Sequence, residues 1–179
     1  MSPLLRAIAA IDALSRAAGW CAKWCVLLAC LVSAGNATVR YALGLGSNAW
    51  LELQWYLFAV IVLFGASNTL RINGHVRVDL LYGRLSPRGQ VWLDLTCTLL
   101  FLMPMAVLVA VMAWPFFAES YAVGEISPNA GGLVRWPVKL LLPAGFALLA
   151  AQGLAEIVRR VAMLTGAIPL ASQYQRPVQ

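Results

Sequence analysis

Apolar side chains run through this chain in four long blocks, each bounded by charged or turn-forming residues. The clearest is Trp50 to Leu70, WLELQWYLFAVIVLFGASNTL, whose one charge is Glu52 near its start. A run of this length matches the roughly 20 residues a helix needs to cross about 30 Å of hydrocarbon. The pattern predicts spanning helices over about 20–41, 49–70, 88–117 and 136–161. Ahead of them, Leu4, Leu5, Ile8, Ile11, Leu14 and Ala18 fall on one side of a helix, with Arg6, Asp12, Ser15 and Arg16 largely on the other. That segment, about 3–18, reads as an amphipathic helix lying in the membrane interface and leading into the first span.

Punctuation between the blocks supports these bounds. Asn48 is placed to cap the second span, with Glu52 in the first turn where the helix dipole favours a carboxylate. Ser86 followed by Pro87 reads as an N-cap with proline at the first helical position. Pro104 and Pro115 predict a kinked third span, tolerated where neighbours satisfy the freed carbonyls. Residues 118–134 carry Glu119, Glu125, Ser127-Pro128 and Asn129 to Gly132, a turn-forming mixture too polar to span.

Composition removes the soluble alternatives. Of 179 residues 61% are hydrophobic and 11% charged, with mean hydropathy +0.78. The chain reads as one all-α integral membrane domain over 1–179, with four transmembrane helices plus the interfacial helix. Its net charge of +6 does not point to nucleic acid, because the basic residues sit singly or in pairs at the ends of apolar runs. They are topology signals. Arg6, Arg16, Lys23, Arg71, Arg77, Arg84, Arg88, Arg159, Arg160 and Arg176 fall on one side, and Arg40, Arg135 and Lys139 on the other. The positive-inside rule then puts both termini in the cytoplasm.

Chemistry has little to stand on. Cys21, Cys25, Cys30 and Cys97 lie in or beside apolar segments without C-x-x-C spacing. The single histidine, His75, sits in a connecting loop, so paired axial ligands are absent, as are a phosphate-binding glycine loop and triad spacing. No enzyme activity, cofactor or metal is expected. A stand-alone carrier would show repeats or polar groups where a substrate is held. The internal polar set, Asn36, Ser67, Asn68, Thr69, Asp94, Thr96 and Thr98, is thin for that and reads as helix-to-helix hydrogen bonding. Close packing is advertised instead, by Ala29-Ser33-Ala37, Gly65-Thr69 and Ala147-Ala151-Ala155 at i+4 spacing. Glu52, Asp94 and Glu156, charged residues near span ends, mark contacts with partner or internal helices.

One stretch carries a resemblance. The order E-x-Q-W-Y-L-F, F-G-A-x-x-T-L-R and G-H-V-R-V-D, here Glu52 to Phe58, Phe64 to Arg71 and Gly74 to Asp79, resembles the small membrane subunit of tripartite ATP-independent periplasmic (TRAP) transporters. The later E-S-Y from Glu119, the run from Asn129 to Lys139 and P-x-G-F from Pro143 are similar to the branch labelled for mannitol and chloroaromatic compounds. The resemblance implies a non-catalytic scaffold in the bacterial inner membrane. Its partners would be the lipid bilayer, a large membrane transport subunit that moves an organic acid inward with sodium ions, and a periplasmic substrate-binding protein.

It also implies interface or structural roles for Glu52, Gln54, Tyr56, Arg71, His75, Arg77, Asp79, Asp94, Glu119, Asn129, Arg135 and Trp136. Within that set, His75, Arg77 and Asp79 would order the connecting loop by local hydrogen bonds and a charge pair. Many relatives carry two adjacent acids where this chain has Leu51 and Glu52, so a role resting on an acidic pair does not transfer. The rival reading is an autonomous small carrier or channel acting as a homo-oligomer.

Overall fold

The computed structural model describes residues 3–74 and 82–170. Those residues form four long helices: α1 (Pro3–Leu43), α2 (Asn48–Arg71), α3 (Pro87–Ala122) and α4 (Trp136–Leu164), each long and apolar enough to cross a membrane. They alternate in direction. α1 begins and α4 finishes at what we term the terminal end; the connections 44–47 and 123–135 lie at the loop end.

Local chemistry sets the helix starts and one irregularity. Ser86 caps α3 by accepting from the Gly89 N–H at 3.2 Å, with Pro87 in the first turn. α2 is different: Ser47 holds its cap position without a side-chain bond, and the Asn48 amide turns away to donate to the Ala130 carbonyl at 3.1 Å. Between Thr98 and Leu102, α3 widens into one π-helical turn, in which the Met103 N–H reaches Thr98 O. The following Pro104 explains it: proline has no N–H to give, and its ring would press on the carbonyl of Leu100 four residues back.

The amphipathic segment expected over about 3–18 leads into the first span without a break, as the opening part of a continuous 41-residue α1. Its polar stripe is divided: Arg6 and Arg16 are exposed, while Asp12 and Ser15 turn inward. Ser15 is fully buried and Asp12 partly so, both held against α4. An amphipathic pattern reveals which face is polar; here part of the polar face, Asp12 and Ser15, is covered by another helix.

α4 is the central element, with ten of its 29 residues buried against two of 24 for α2. Since lipid tails are as apolar as leucine, helices here associate through close approach more than by hiding apolar surface. Glycines permit that approach. A Cβ on Gly145 would lie 2.6 Å from Leu63 Cβ and 3.2 Å from the Leu63 carbonyl oxygen, so α2 and α4 touch backbone to side chain. Gly19 on α1 sits equally tightly on the Asn68 side chain of α2, and Gly153 on Leu102 and Met103 of α3. A small core of Ala106, Leu149 and Ala150 lies between α3 and α4. Large apolar side chains point outward, Phe101, Met112 and Trp114 of α3 among them.

Candidate functional site

Polar side chains gather at the two ends of the bundle. At the loop end, α3 closes on Gly124, whose φ of +58° is the left-handed conformation that ends helices. The chain then folds back on itself. Ser127 N–H donates to Leu133 O at 3.0 Å, Arg135 N–H to Glu125 O at 2.9 Å, and Ile126 faces Val134 in an antiparallel bridge. The turn between them is closed by Gly132 N–H on Asn129 O at 2.9 Å, with Gly131 at φ +69° in the position where a type II turn requires it.

Glu52 is the anchor of this loop. Its buried carboxylate accepts from the Leu133 N–H at 2.7 Å, the Asn129 amide at 2.8 Å and the Ser127 hydroxyl. Tyr56, one turn further along α2, donates its hydroxyl to Val134 O at 3.0 Å. Glu125 pairs with Lys139, whose ammonium lies 4.0 Å over the Phe116 ring. That hydrogen bond from Lys139, with Arg135 nearby, holds the Glu125 carboxyl below its ordinary range.

The terminal end is built differently. Arg159 pairs with Asp12 of α1 and with Glu156 on its own helix, while Arg160 lies 3.5 Å from Asp94 of α3 and 3.7 Å from Glu156. Fully buried Gln152 links them: it accepts from Ser15 at 2.7 Å and donates to Asp12 at 3.2 Å and to Glu156 at 3.3 Å. Tyr82 donates to Asp94 at 3.1 Å, and Gln90 to the Tyr82 carbonyl at 3.2 Å. Three helices are thereby tied by charge-assisted contacts that satisfy one buried carboxylate, Glu156, and two partly buried ones, Asp12 and Asp94.

Two hollows adjoin these clusters. One, of about 360 Å³, opens between α2 and α4 near Phe116, with Trp55, Tyr56, Arg135 and Lys139 at its polar end and Leu63 and Leu142 deeper in. The other, of about 640 Å³, lies beside Asp94, Glu156 and Arg160.

The residues singled out from sequence scatter accordingly. Glu52, Tyr56, Asn129 and Arg135 come together at the loop end, and Asp94 joins the terminal network. Arg71 donates twice to Asn68 Oδ1, at 3.2 and 3.0 Å. Trp136 stacks edge-on against Tyr121 at 5.4 Å, Glu119 is exposed near the end of α3, and Gln54 is half-buried on α2 outside the cluster. His75, Arg77 and Asp79 lie outside the described residues. Of the polar positions expected to bond between helices, Ser67 and Thr69 instead donate to Phe64 O and Gly65 O of their own helix.

Sequence reading missed Gln152, Ser15, Asp12 and Ser127 as contact residues, and took Arg159 and Arg160 for topology markers alone. One signal was available: Gln152, Glu156 and Arg160 repeat at i+4 and form a single polar stripe on an otherwise apolar helix.

Among the described residues, then, polar chemistry lies at the two ends of an apolar, closely packed four-helix bundle, and no three His, Cys, Asp or Glu side chains converge as a metal site requires. A comparison with curated proteins finds no match. Residues 28–163, covering the later part of α1 and the three spans that follow, match the model of the family described as Tripartite ATP-independent periplasmic transporters, DctQ component, and the chain belongs to that family: it is a small membrane subunit of a TRAP transporter, a multi-pass protein of the bacterial inner membrane.

Proposed function

We propose that this chain is a non-catalytic scaffold that holds a large transport subunit in the membrane and helps seat the periplasmic binding protein during sodium-coupled uptake of an organic acid. One observation carries the reading. Among the described residues, the helices meet through glycine, alanine and leucine around Gly145, Gly153, Ala106 and Ala150, and the buried amide among them, Gln152, has both its oxygen and its nitrogen engaged by Ser15, Asp12 and Glu156, which supports a packing role over a path for a carboxylate. A scaffold needs rigid helices and an outer face that fits a partner; α3 presents such an apolar face. Sodium coupling and the organic-acid substrate rest on the family alone.

Both termini are cytoplasmic in this proposal, by the excess of arginine at the terminal end. The loop end then faces the binding protein, and Glu52 acts there indirectly, by shaping residues 127–133 for docking. Co-expression tests the reading. A tagged copy of this chain should extract with a larger multi-span subunit in fixed ratio, and extraction as a stable monomer in the presence of that subunit would contradict it.

A further inference from the structure

The geometry points to a phospholipid site in the groove between α2 and α4 at the loop end, with the lipid phosphate on Arg135 and one acyl chain along Ala59, Leu63 and Leu142. Arg135 is the cation at the mouth that is not held in an ion pair. Among the described residues its guanidinium donates only to the Ser127 hydroxyl, at 3.4 Å, and no carboxylate lies within ion-pair distance. Lys139 is already neutralised by Glu125, and both oxygens of Glu52 are engaged by the loop. A guanidinium with unused donors above an apolar channel is complementary to a phosphodiester above a hydrocarbon tail.

Dimensions agree. From Glu52 to Leu63 the groove follows α2 for eleven residues, roughly 16 Å of helix, which is about the hydrocarbon depth of one leaflet. Trp55 and Tyr56 flank the mouth, as amphipathic rings do at headgroup level. The mouth holds two acids and two bases, Glu52, Glu125, Arg135 and Lys139, a net charge of zero. That balance favours a zwitterionic headgroup over an anionic one, because a second negative group would approach the two glutamates without a cation of its own.

The site is tested on the full-length chain, purified in its native assembly in mild detergent and examined by native mass spectrometry with lipid extraction. One zwitterionic phospholipid should remain bound per chain. Arg135→Gln should lower its retention about tenfold, the loss of one charge-assisted contact, whereas Arg40→Gln, at the same end outside the groove, should leave it unchanged. Since Arg135 also braces the loop, Ala59→Trp supplies an independent arm: it fills the channel without touching a charge and should likewise release the lipid. Equal retention by the unaltered chain and Ala59→Trp would overturn the proposal, as would preference for an anionic phospholipid. Crosslinking of Ala59→Cys to a helix of a partner protein, with no lipid retained, would also overturn it by giving the groove to that helix.

Discussion

The loop end and the terminal end of this bundle are both organised around carboxylates, yet they hold different things. Glu52 accepts from two neutral side chains and one backbone N–H, all within residues 127–133, so it fastens a loop to the start of one helix. At the terminal end, Asp12, Asp94 and Glu156 share two consecutive arginines and come from three helices. The first arrangement joins a loop to one helix; the second joins three helices to one another. Glu52 and Arg71 are nineteen residues apart on α2, roughly 28 Å of helix, so the two devices sit near opposite faces of the hydrocarbon. The terminal end, where three helices are joined, is therefore predicted to be the more resistant of the two to local opening.

Breaking the terminal network should have the largest effect. Arg160→Ala leaves buried Glu156 and Asp94 without that cation and should cost about 3 kcal/mol, read as a fall in thermal unfolding temperature of the detergent-solubilised protein; an unchanged transition would mean that the network does not tie α3 to α4. Next comes the packing that joins the two ends. Gly145→Ala drives a Cβ against Leu63 and should cost about 2 kcal/mol, again measured by thermal unfolding.

Glu52→Ala should separate the ends functionally. Limited proteolysis within 123–135 should accelerate about tenfold as the loop loses its acceptor, with the unfolding temperature moving less than for Arg160→Ala. Acid should do the same more gently. The Glu125 carboxyl titrates below its ordinary value of 4.5, so its pairing with Lys139 is fully stabilising above that value and is lost as pH falls through the lower folded one. Proteolysis of the loop should therefore rise in that acidic window, and Glu125→Gln should diminish the rise. The smallest effect belongs to Ser33→Trp on the exposed stripe of α1, which should leave stability within about 0.5 kcal/mol; any change in retention of a partner would assign that stripe to an interface.

What could be read in advance follows the range of the interactions. Four spans are legible because bilayer thickness imposes a run length on each helix by itself. The Ser86-Pro87 start is legible because a cap forms within three residues. Glu52 stood out as a charge at a span end, but its partners lie 75 to 81 residues away, and no local pattern names them. Asp12 and Ser15 were read as water-facing because periodicity sorts faces without saying what covers them. Gln152 is a single amide in an apolar run, visible only as part of the stripe it forms with Glu156 and Arg160. The π turn needed Pro104 and its neighbours in three dimensions: the proline predicts a disturbance, while its form depends on where the displaced carbonyl can go.

The scaffold assignment is tested most directly by flux in proteoliposomes containing this chain alone, the large subunit alone, or both, each with and without the binding protein. Uptake of an organic acid down a sodium gradient should require both membrane subunits and the binding protein, and this chain alone should pass nothing. Substrate flux through this chain by itself would contradict the account and make it a carrier.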